Sequence, residues 1–146
     1  MFDFSVPNDG LAAKIVGNMY KHDAFSQWLG IQVLDTGPGC CVLQMTVRSD
    51  MLNGFGIAHG GITYSLADSA LAFASNSHGR QTVSIETSIS HTCKIKEGDV
   101  LTAVAREESL GNTIGIYAIE IRNTEGKIAA LFKGTVFRMK DISLDQ

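Results

Sequence analysis

The chain has 146 residues and a mass of 15.7 kDa, which predicts a single domain over residues 1–146. Apolar residues make up 45% and charged residues 18% of it, which excludes disordered, collagen-like and coiled-coil proteins. Twelve Lys and Arg against fifteen Asp and Glu give a net charge of −3 without a basic cluster, so nucleic acid is not an expected partner. A domain of this size with so few charges is expected to cover part of its surface by oligomerisation.

The three cysteines match no common covalent or metal-binding pattern. Cys40 and Cys41 are adjacent and Cys93 stands alone, which fits neither a disulfide framework nor a zinc site, so reduced thiols and no metal are expected. The first residues lack the basic and apolar regions of a secretory signal, and no apolar run approaches the ~20 residues of a membrane span. We therefore expect a cytoplasmic protein without a membrane partner.

The start of the chain predicts helical structure. Leu11, Ile15 and Met19 recur at helical spacing and predict a short N-terminal helix over about residues 9–22. A further helical turn is expected over residues 24–29.

A β-hairpin is predicted next. Residues 31–35 and 41–48 alternate apolar and polar side chains on either side of Gly37-Pro38-Gly39, a sequence typical of a tight turn. A glycine-rich loop over residues 50–59 then leads into the middle of the chain.

The middle of the chain predicts a buried central helix over about residues 61–77. Small or apolar residues cover nearly all sides of this segment, which contains no proline and a single charged residue, Asp68.

The second half of the chain predicts strands. Four β-rich runs are separated by turns with glycine or asparagine, and we predict that they form a four-stranded meander: residues 83–92, 100–109, 113–122 and 127–138. Helices and strands do not alternate as a parallel sheet requires. The predicted class is therefore α+β, with an antiparallel sheet wrapped around the central helix.

Asp68 is the residue that fits its surroundings least. A charge in an apolar helix costs several kcal/mol unless it is paired or solvated. It either faces a water-filled pocket or bonds a backbone amide, as a structural residue, or it is a catalytic carboxylate whose pKa is tuned by burial.

A second candidate feature is the segment from Asn53 to Gly61, which contains His59-Gly60-Gly61. Glycines before a helix bring free N–H groups and the positive end of the helix dipole to a ligand, which suits a developing oxyanion. The segment lacks the lysine and the spacing of nucleotide-binding loops. A flexible loop in which His59 is a local hydrogen-bonding cap is the alternative.

Asn53, His59-Gly60-Gly61 and Ser65-Leu66-Ala67-Asp68, in this spacing, resemble the signature of the PaaI-type hotdog-fold acyl-CoA thioesterases. The similarity extends over most of residues 20–138. It implies a hotdog fold, hydrolysis of a small or medium acyl-CoA, with aromatic groups of the phenylacetyl type favoured, no cofactor, and a homodimer or a homotetramer built from two dimers.

The resemblance also implies roles for individual residues. Asp68 matches the catalytic carboxylate, as nucleophile or general base, and Gly61 with Gly60 matches the amide that polarises the thioester carbonyl. Asn53 matches a loop residue that positions the reacting groups, and His59 matches a motif histidine that is expected to be structural rather than a proton carrier.

Further substrate-binding residues are expected on the strand after the helix and beyond it. A polar residue between Ser84 and Ser88 is implied to line the site, with Glu86 and Thr87 as candidates. Lys94 is a candidate contact for the CoA phosphates, although a solvated strand end explains it equally well. The aromatic residues Phe25, Trp28, Phe55 and Tyr64 are candidates for an acyl pocket but fit a core position better.

The spacing of the motif bears on assembly. Seven residues separate Gly61 from Asp68, about 10 Å along a helix, whereas a carboxylate and an oxyanion donor must each lie roughly 3 Å from one reacting group. We therefore expect Asp68 to face the Gly60-Gly61 turn of a second chain. We also expect a donor such as a backbone amide N–H, or the hydroxyl of Ser65 or Ser69, to hold Asp68 in its ionised form.

The sequence offers three alternatives to thioester hydrolysis. A Cys93–His91 nucleophilic pair lacks an orienting third group. A hotdog hydratase needs a histidine beside its acidic residue, and His59 precedes the helix in the wrong register. A non-catalytic acyl-CoA binding protein remains an alternative, because the sequence does not establish turnover.

Overall fold

A computed structural model describes residues 10–144 of the chain. A single sheet surrounds one long helix. The helices are α1 (Gly10–Lys21), α2 (Ala24–Trp28) and α3 (Gly60–Asn76), with a 3-10 turn at Ser49–Met51. The strands are β1 (Gln32–Gly37), β2 (Cys40–Thr46), β3 (Arg80–His91), β4 (Val100–Leu110), β5 (Ile114–Arg122) and β6 (Ile128–Asp141). The α+β class is as predicted.

The predicted helices lie within one or two residues of the observed ones. The helix expected over residues 9–22 is α1, and residue 9 lies outside the described residues. The central helix, expected over residues 61–77, begins at Gly60 and ends at Asn76. No helix within residues 10–144 is long and apolar enough to cross a membrane.

The six strands form one antiparallel sheet in the order β1-β2-β4-β5-β6-β3. The predicted four-stranded meander is therefore wrong in one connection: β3 does not pair with β4 but crosses to the far edge and pairs with β6. Strand β3 also begins at Arg80, three residues before the predicted start. The meander is limited to β4, β5 and β6.

The β1–β2 hairpin turns at Pro38-Gly39, as predicted. Gly39 has a φ of +73°, a conformation that L side chains rarely adopt. A Cβ at Gly39 would also lie 2.5 Å from Glu107 Oε2. The N–H of Gly39 donates to Ser77 Oγ (2.8 Å), which joins the hairpin to the end of α3.

Helix α3 packs into the concave face of the sheet. Leu66, Leu71 and Phe73 are almost fully buried there, and burial of each such side chain stabilises the fold by roughly 1.5–3 kcal/mol. At β6 the helix and the sheet approach so closely that a Cβ at Gly134 would lie 2.5 Å from Leu71 Cδ2. Glycine at residue 134 is therefore what lets the helix lie this deep.

Strand β3 runs antiparallel to α3 and is hydrogen-bonded to it along its length. Four side-chain hydrogen bonds join the two elements: Thr63–His91 (2.8 Å), Tyr64–Thr87 (2.6 Å), Ser75–Thr82 (2.6 Å) and Asn76–Thr82 (3.0 Å). The start of α3 therefore lies beside the end of β3. This pairing sets the position of the candidate site.

Candidate active site

The first turn of α3 is organised by side-chain caps. His59 is the N-cap residue, and its Nδ1 accepts the N–H of Gly61 at 3.2 Å. The hydroxyls of Thr63 and Ser65 donate to the carbonyls of Gly60 (2.9 Å) and Gly61 (2.7 Å). His59 therefore caps the start of α3.

One amide of this turn remains open. The N–H of Gly61, expected as the oxyanion donor, is bonded to His59 Nδ1, whereas the N–H of Gly60 has no acceptor among residues 10–144. The positive end of the α3 dipole makes the Gly60 N–H more attractive to a negatively charged ligand atom. Of these two amides, only that of Gly60 is therefore open to a ligand among the described residues.

Asn53 shapes the loop before the helix. Its Oδ1 accepts the N–H groups of Phe55 (2.9 Å) and Ile57 (3.4 Å), and its backbone N–H donates to Ile57 O (2.8 Å). The Nδ2 group of Asn53 donates no hydrogen bond within the described part of the chain. This group is therefore a second donor available near Gly60.

A cavity of about 420 Å³ lies beside the start of α3. Three of the predicted site residues, Asn53, Gly60 and Lys94, line it together with Thr63 and His91. The structure thus assembles the two open N–H donors and a lysine around one space.

Asp68 lies on the partly exposed face of α3, away from this cavity. It is half-buried, and its carboxylate has no hydrogen-bond or ion-pair partner within residues 10–144. Burial raises the pKa of Asp68, and the negative charge of Asp23 raises it further.

The donors expected from Ser65 and Ser69 are engaged elsewhere, so that expectation was wrong. Ser65 donates to Gly61 O, and Ser69 is bonded to Ser26 Oγ at 2.8 Å. Asp68 is therefore an ionisable group without a partner in the described part of the chain.

Asp68 and the open amide lie far apart on one helix. Eight residues separate Gly60 from Asp68, which is about 12 Å at 1.5 Å per residue. One thioester carbonyl cannot contact both groups of one chain.

Comparison with known proteins identifies the family. Residues 55–130 match the model of the thioesterase superfamily. A putative esterase of Archaeoglobus fulgidus is 39% identical over 90% of this chain and 85% of its own. The acyl-coenzyme A thioesterase PaaI of Escherichia coli is 41% identical over 83% of this chain and 86% of its own.

The chain belongs to the thioesterase superfamily.

Solved structures of related proteins have the same architecture. The structure of E. coli PaaI, from the phenylacetic acid degradation operon, matches with a TM-score of 0.91 at 38% identity, covering 93% of this chain and 99% of its own. A Streptococcus pneumoniae thioesterase solved with coenzyme A matches with a TM-score of 0.81 at 27% identity, covering 86% and 98%. The predicted hotdog fold and the resemblance to PaaI-type thioesterases are confirmed.

Within this superfamily fold, the two candidates on β3 face opposite sides of the sheet. Thr87 pairs with Gly134, which faces α3, and its hydroxyl bonds Tyr64 Oη. Glu86 pairs with Thr135 and, because side chains alternate along a strand, it points away from α3. Of the two, only Thr87 lies on the α3 side of the sheet, and the expectation that Glu86 binds substrate stays a prediction.

The aromatic candidates are more exposed than the sequence suggested. Phe55 is 92%, Trp28 61% and Phe25 52% exposed, whereas Tyr64 is half-buried against Phe132. The expectation that all of them fit the core better was wrong for the first three.

Two residues near the candidate site were not among the predicted site residues. His91 reaches the start of α3, where its Cε1 would lie 3.2 Å from a Cβ at Gly60, and its Nε2 bonds Thr63 Oγ1. Asp23 acts on Asp68 through its charge. No local motif signals either contact, because each joins residues far apart in the sequence.

Proposed function

We propose that this chain hydrolyses an aromatic, phenylacetyl-type acyl-CoA to the free acid and CoA, in a site shared by two copies of the chain. Membership of the thioesterase superfamily makes it a thioester hydrolase. Its similarity to PaaI, an acyl-coenzyme A thioesterase, and to a thioesterase solved with coenzyme A supports the substrate class. The separation of Gly60 from Asp68 along α3 carries the proposal of a shared site.

The chemistry requires a carboxylate and an oxyanion donor on one thioester. In the general-base route, Asp68 takes a proton from water as the water oxygen bonds the carbonyl carbon, and the oxyanion accepts hydrogen bonds from Gly60 N–H and Asn53 Nδ2. The C–S bond then breaks and CoA leaves as the thiolate. In the nucleophilic route, Asp68 bonds the carbonyl carbon, CoA leaves, and water hydrolyses the mixed anhydride.

Strand β3 supplies the surface for the second copy. It lies at the edge of the sheet and exposes Val83 (45%) and Ile85 (58%), and such an edge is prone to pair with another strand. Because β3 runs antiparallel to α3, pairing two β3 strands about a two-fold axis sets the two α3 helices antiparallel. The start of each helix then faces the exposed side of the other. We propose a homodimer on this basis, which two dimers extend to a homotetramer.

Substrate contacts follow from exposure and charge. The exposed rings of Phe25, Trp28 and Phe55 offer apolar surface for an aromatic acyl group. Lys94, exposed at the cavity, is placed to contact the CoA phosphates. The free thiols Cys40, Cys41 and Cys93 fit the cytoplasmic location that we propose.

The positions of the histidines disfavour a hydratase site built by one chain alone. His59 caps α3 and His91 lies beside the same end of the helix, about two turns or more from Asp68 of the same chain. In the same chain, neither can transfer a proton in concert with Asp68.

The experiment that tests the shared site is complementation between two inactive variants. Asp68→Asn removes the carboxylate, and Gly60→Val crowds the open amide against His91. Release of free thiol from phenylacetyl-CoA is followed for each variant and for a co-expressed mixture. A random mixture contains one intact site in each mixed dimer, so about a quarter of the wild-type rate is expected from the mixture and almost none from either variant.

Gly54→Ala is the matched control, since a Cβ there meets nothing within 4 Å, and it is expected to retain wild-type turnover. A mixture as inactive as its components overturns the shared site. Tight binding of phenylacetyl-CoA by the wild type without thiol release overturns the enzyme function. A panel of aliphatic and aromatic acyl-CoAs tests the acyl preference.

A further inference from the structure

A chain of hydrogen bonds links α2 to α3 at the residue next to Asp68. Asp23, the N-cap of α2, accepts the Ser26 N–H on Oδ1 (2.9 Å) and the Ser26 hydroxyl on Oδ2 (2.6 Å). The Ser26 hydroxyl also lies 2.8 Å from Ser69 Oγ. Ser26 and Ser69 are both buried, so this contact is shielded from water.

The direction of the chain follows from the number of hydrogens. A serine hydroxyl has one hydrogen, and that of Ser26 is donated to the carboxylate of Asp23. Ser26 must then accept from Ser69, whose hydrogen points towards α2. Ser69 is thereby prevented from donating to its neighbour Asp68, whose carboxylate has no donor among residues 10–144.

We propose that Asp23, acting through Ser26 and Ser69, is a positioning residue for Asp68: it fixes α2 against α3 and holds a second negative charge near the reacting carboxylate. The inference rests on the proposed function, in which Asp68 reacts.

Asp23 is the charged group that acts on Asp68. Burial is the larger cause of the raised pKa of Asp68, and the charge of Asp23 is the other. Other titratable side chains lie on α3 and on neighbouring segments such as α1, the residue after it and β3. They include Tyr64, Lys14, Lys21, His22, Glu86 and His91. None of these contributes to the shift.

The arrangement has a catalytic consequence. A carboxylate without a donor and near a like charge is a stronger base than a solvated one, and it remains reactive provided that the pH is high enough to ionise it. The charge of Asp23 therefore lowers activity at acidic pH, where Asp68 is protonated, and makes the ionised Asp68 a stronger base at neutral pH.

The test uses neutral residues that still cap α2. Asp23→Asn and Asp23→Ser keep an acceptor for the Ser26 N–H and remove the charge. The acid limb of the kcat/KM profile is expected to move to lower pH in both, and kcat at neutral pH is expected to fall about two- to tenfold. Asp23→Glu, which retains the charge, should keep the wild-type limb. The carboxyl ¹³C shift of Asp68 is titrated by NMR in the substrate-free enzyme.

Two controls separate charge from structure. Glu97→Gln removes an exposed negative charge that does not act on Asp68. It should change neither the pH profile of kcat/KM nor the NMR titration curve of Asp68. Ser69→Ala removes the hydrogen bond to Ser26 but keeps the Asp23 charge. It should therefore lower kcat while the acid limb of the kcat/KM profile stays close to that of the wild type.

The outcomes distinguish this inference from the proposed function. If Asp68→Asn is inactive while neither neutral variant at residue 23 moves the kcat/KM limb or the Asp68 titration, the inference is overturned. If Asp68→Asn stays active, the catalytic role of Asp68 fails. The NMR titration then still decides the effect of Asp23: a shift to lower pH supports it and an unchanged curve overturns it.

Discussion

The most informative single residue is Asp68, because its environment opposes ionisation and supplies nothing to offset the cost. It is half-buried, no group within residues 10–144 bonds its carboxylate, and the charge of Asp23 repels it. A residue retained only for stability would be expected to have a partner. This combination is typical of a reactive group.

Asp68→Asn should abolish turnover without weakening the fold. Because the pKa of Asp68 is raised in the folded state, the group favours folding only when protonated, and that contribution is lost as the pH rises through the raised pKa. At neutral pH the Asn variant should therefore melt at or above the temperature of the wild type. The difference should vanish below about pH 4, near the ordinary Asp pKa. Thermal unfolding across this pH range measures it.

Thioester hydrolysis by the same variant should fall about 100-fold or more, as expected for loss of a base or nucleophile. A variant that is clearly less stable than the wild type at pH 7 would show that Asp68 has a structural partner.

The sequence was sufficient to single out Asp68 but not its surroundings. A lone charge in an apolar helix is visible in the sequence itself, and so are the glycines before it. The bonds of His91 to Thr63 and of Ser26 to Ser69 join residues 28 and 43 apart, and their existence depends on tertiary packing. The choice between the Gly60 and Gly61 amides required the orientation of the His59 ring.

At the level of elements, α3 depends on a histidine cap at its start. Histidine is a less common N-cap residue than Ser, Thr, Asp or Asn. Here Nδ1 of His59 accepts one of the N–H groups that the first turn leaves without a partner in the helix. The cap also orders the turn that carries the Gly60 amide.

His59→Ala should lower the free energy of unfolding by about 0.5–2 kcal/mol, because the Gly61 N–H loses its acceptor. His59→Asn should restore most of that stability and retain thioesterase activity, since Asn caps a helix but does not exchange protons. Urea unfolding and thiol release on both variants measure these effects. Inactivity of the well-folded Asn variant would instead indicate proton transfer by His59.

The strands were predicted more reliably than their order. Period-two patterns located all six, because alternation is a local signal. The position of β3 was missed because its pairing with β6 is non-local and most of its residues are exposed, so burial does not specify a neighbour. One local signal was available: residues 92–99 form a longer connection than the tight turns on either side of β5.

At the scale of the whole molecule, the two edges of the sheet differ. Strand β1 has only six residues, and a short strand protects an edge from pairing. Strand β3 has twelve residues and presents Val83 and Ile85. The asymmetry favours β3 as the edge that meets a second copy.

Ile85→Lys should therefore separate the proposed dimer, since the charge would be placed in the strand pairing between copies, whereas the side chain is 58% exposed in the single chain. Sedimentation should show a shift towards monomer, circular dichroism should be unchanged, and thiol release should fall in parallel with the dimer fraction. Leu34→Lys is the matched control on β1, where the side chain is 52% exposed, and it should remain dimeric and active. A fully active Ile85→Lys monomer would mean that one chain completes the site alone, in conflict with the 12 Å separation along α3.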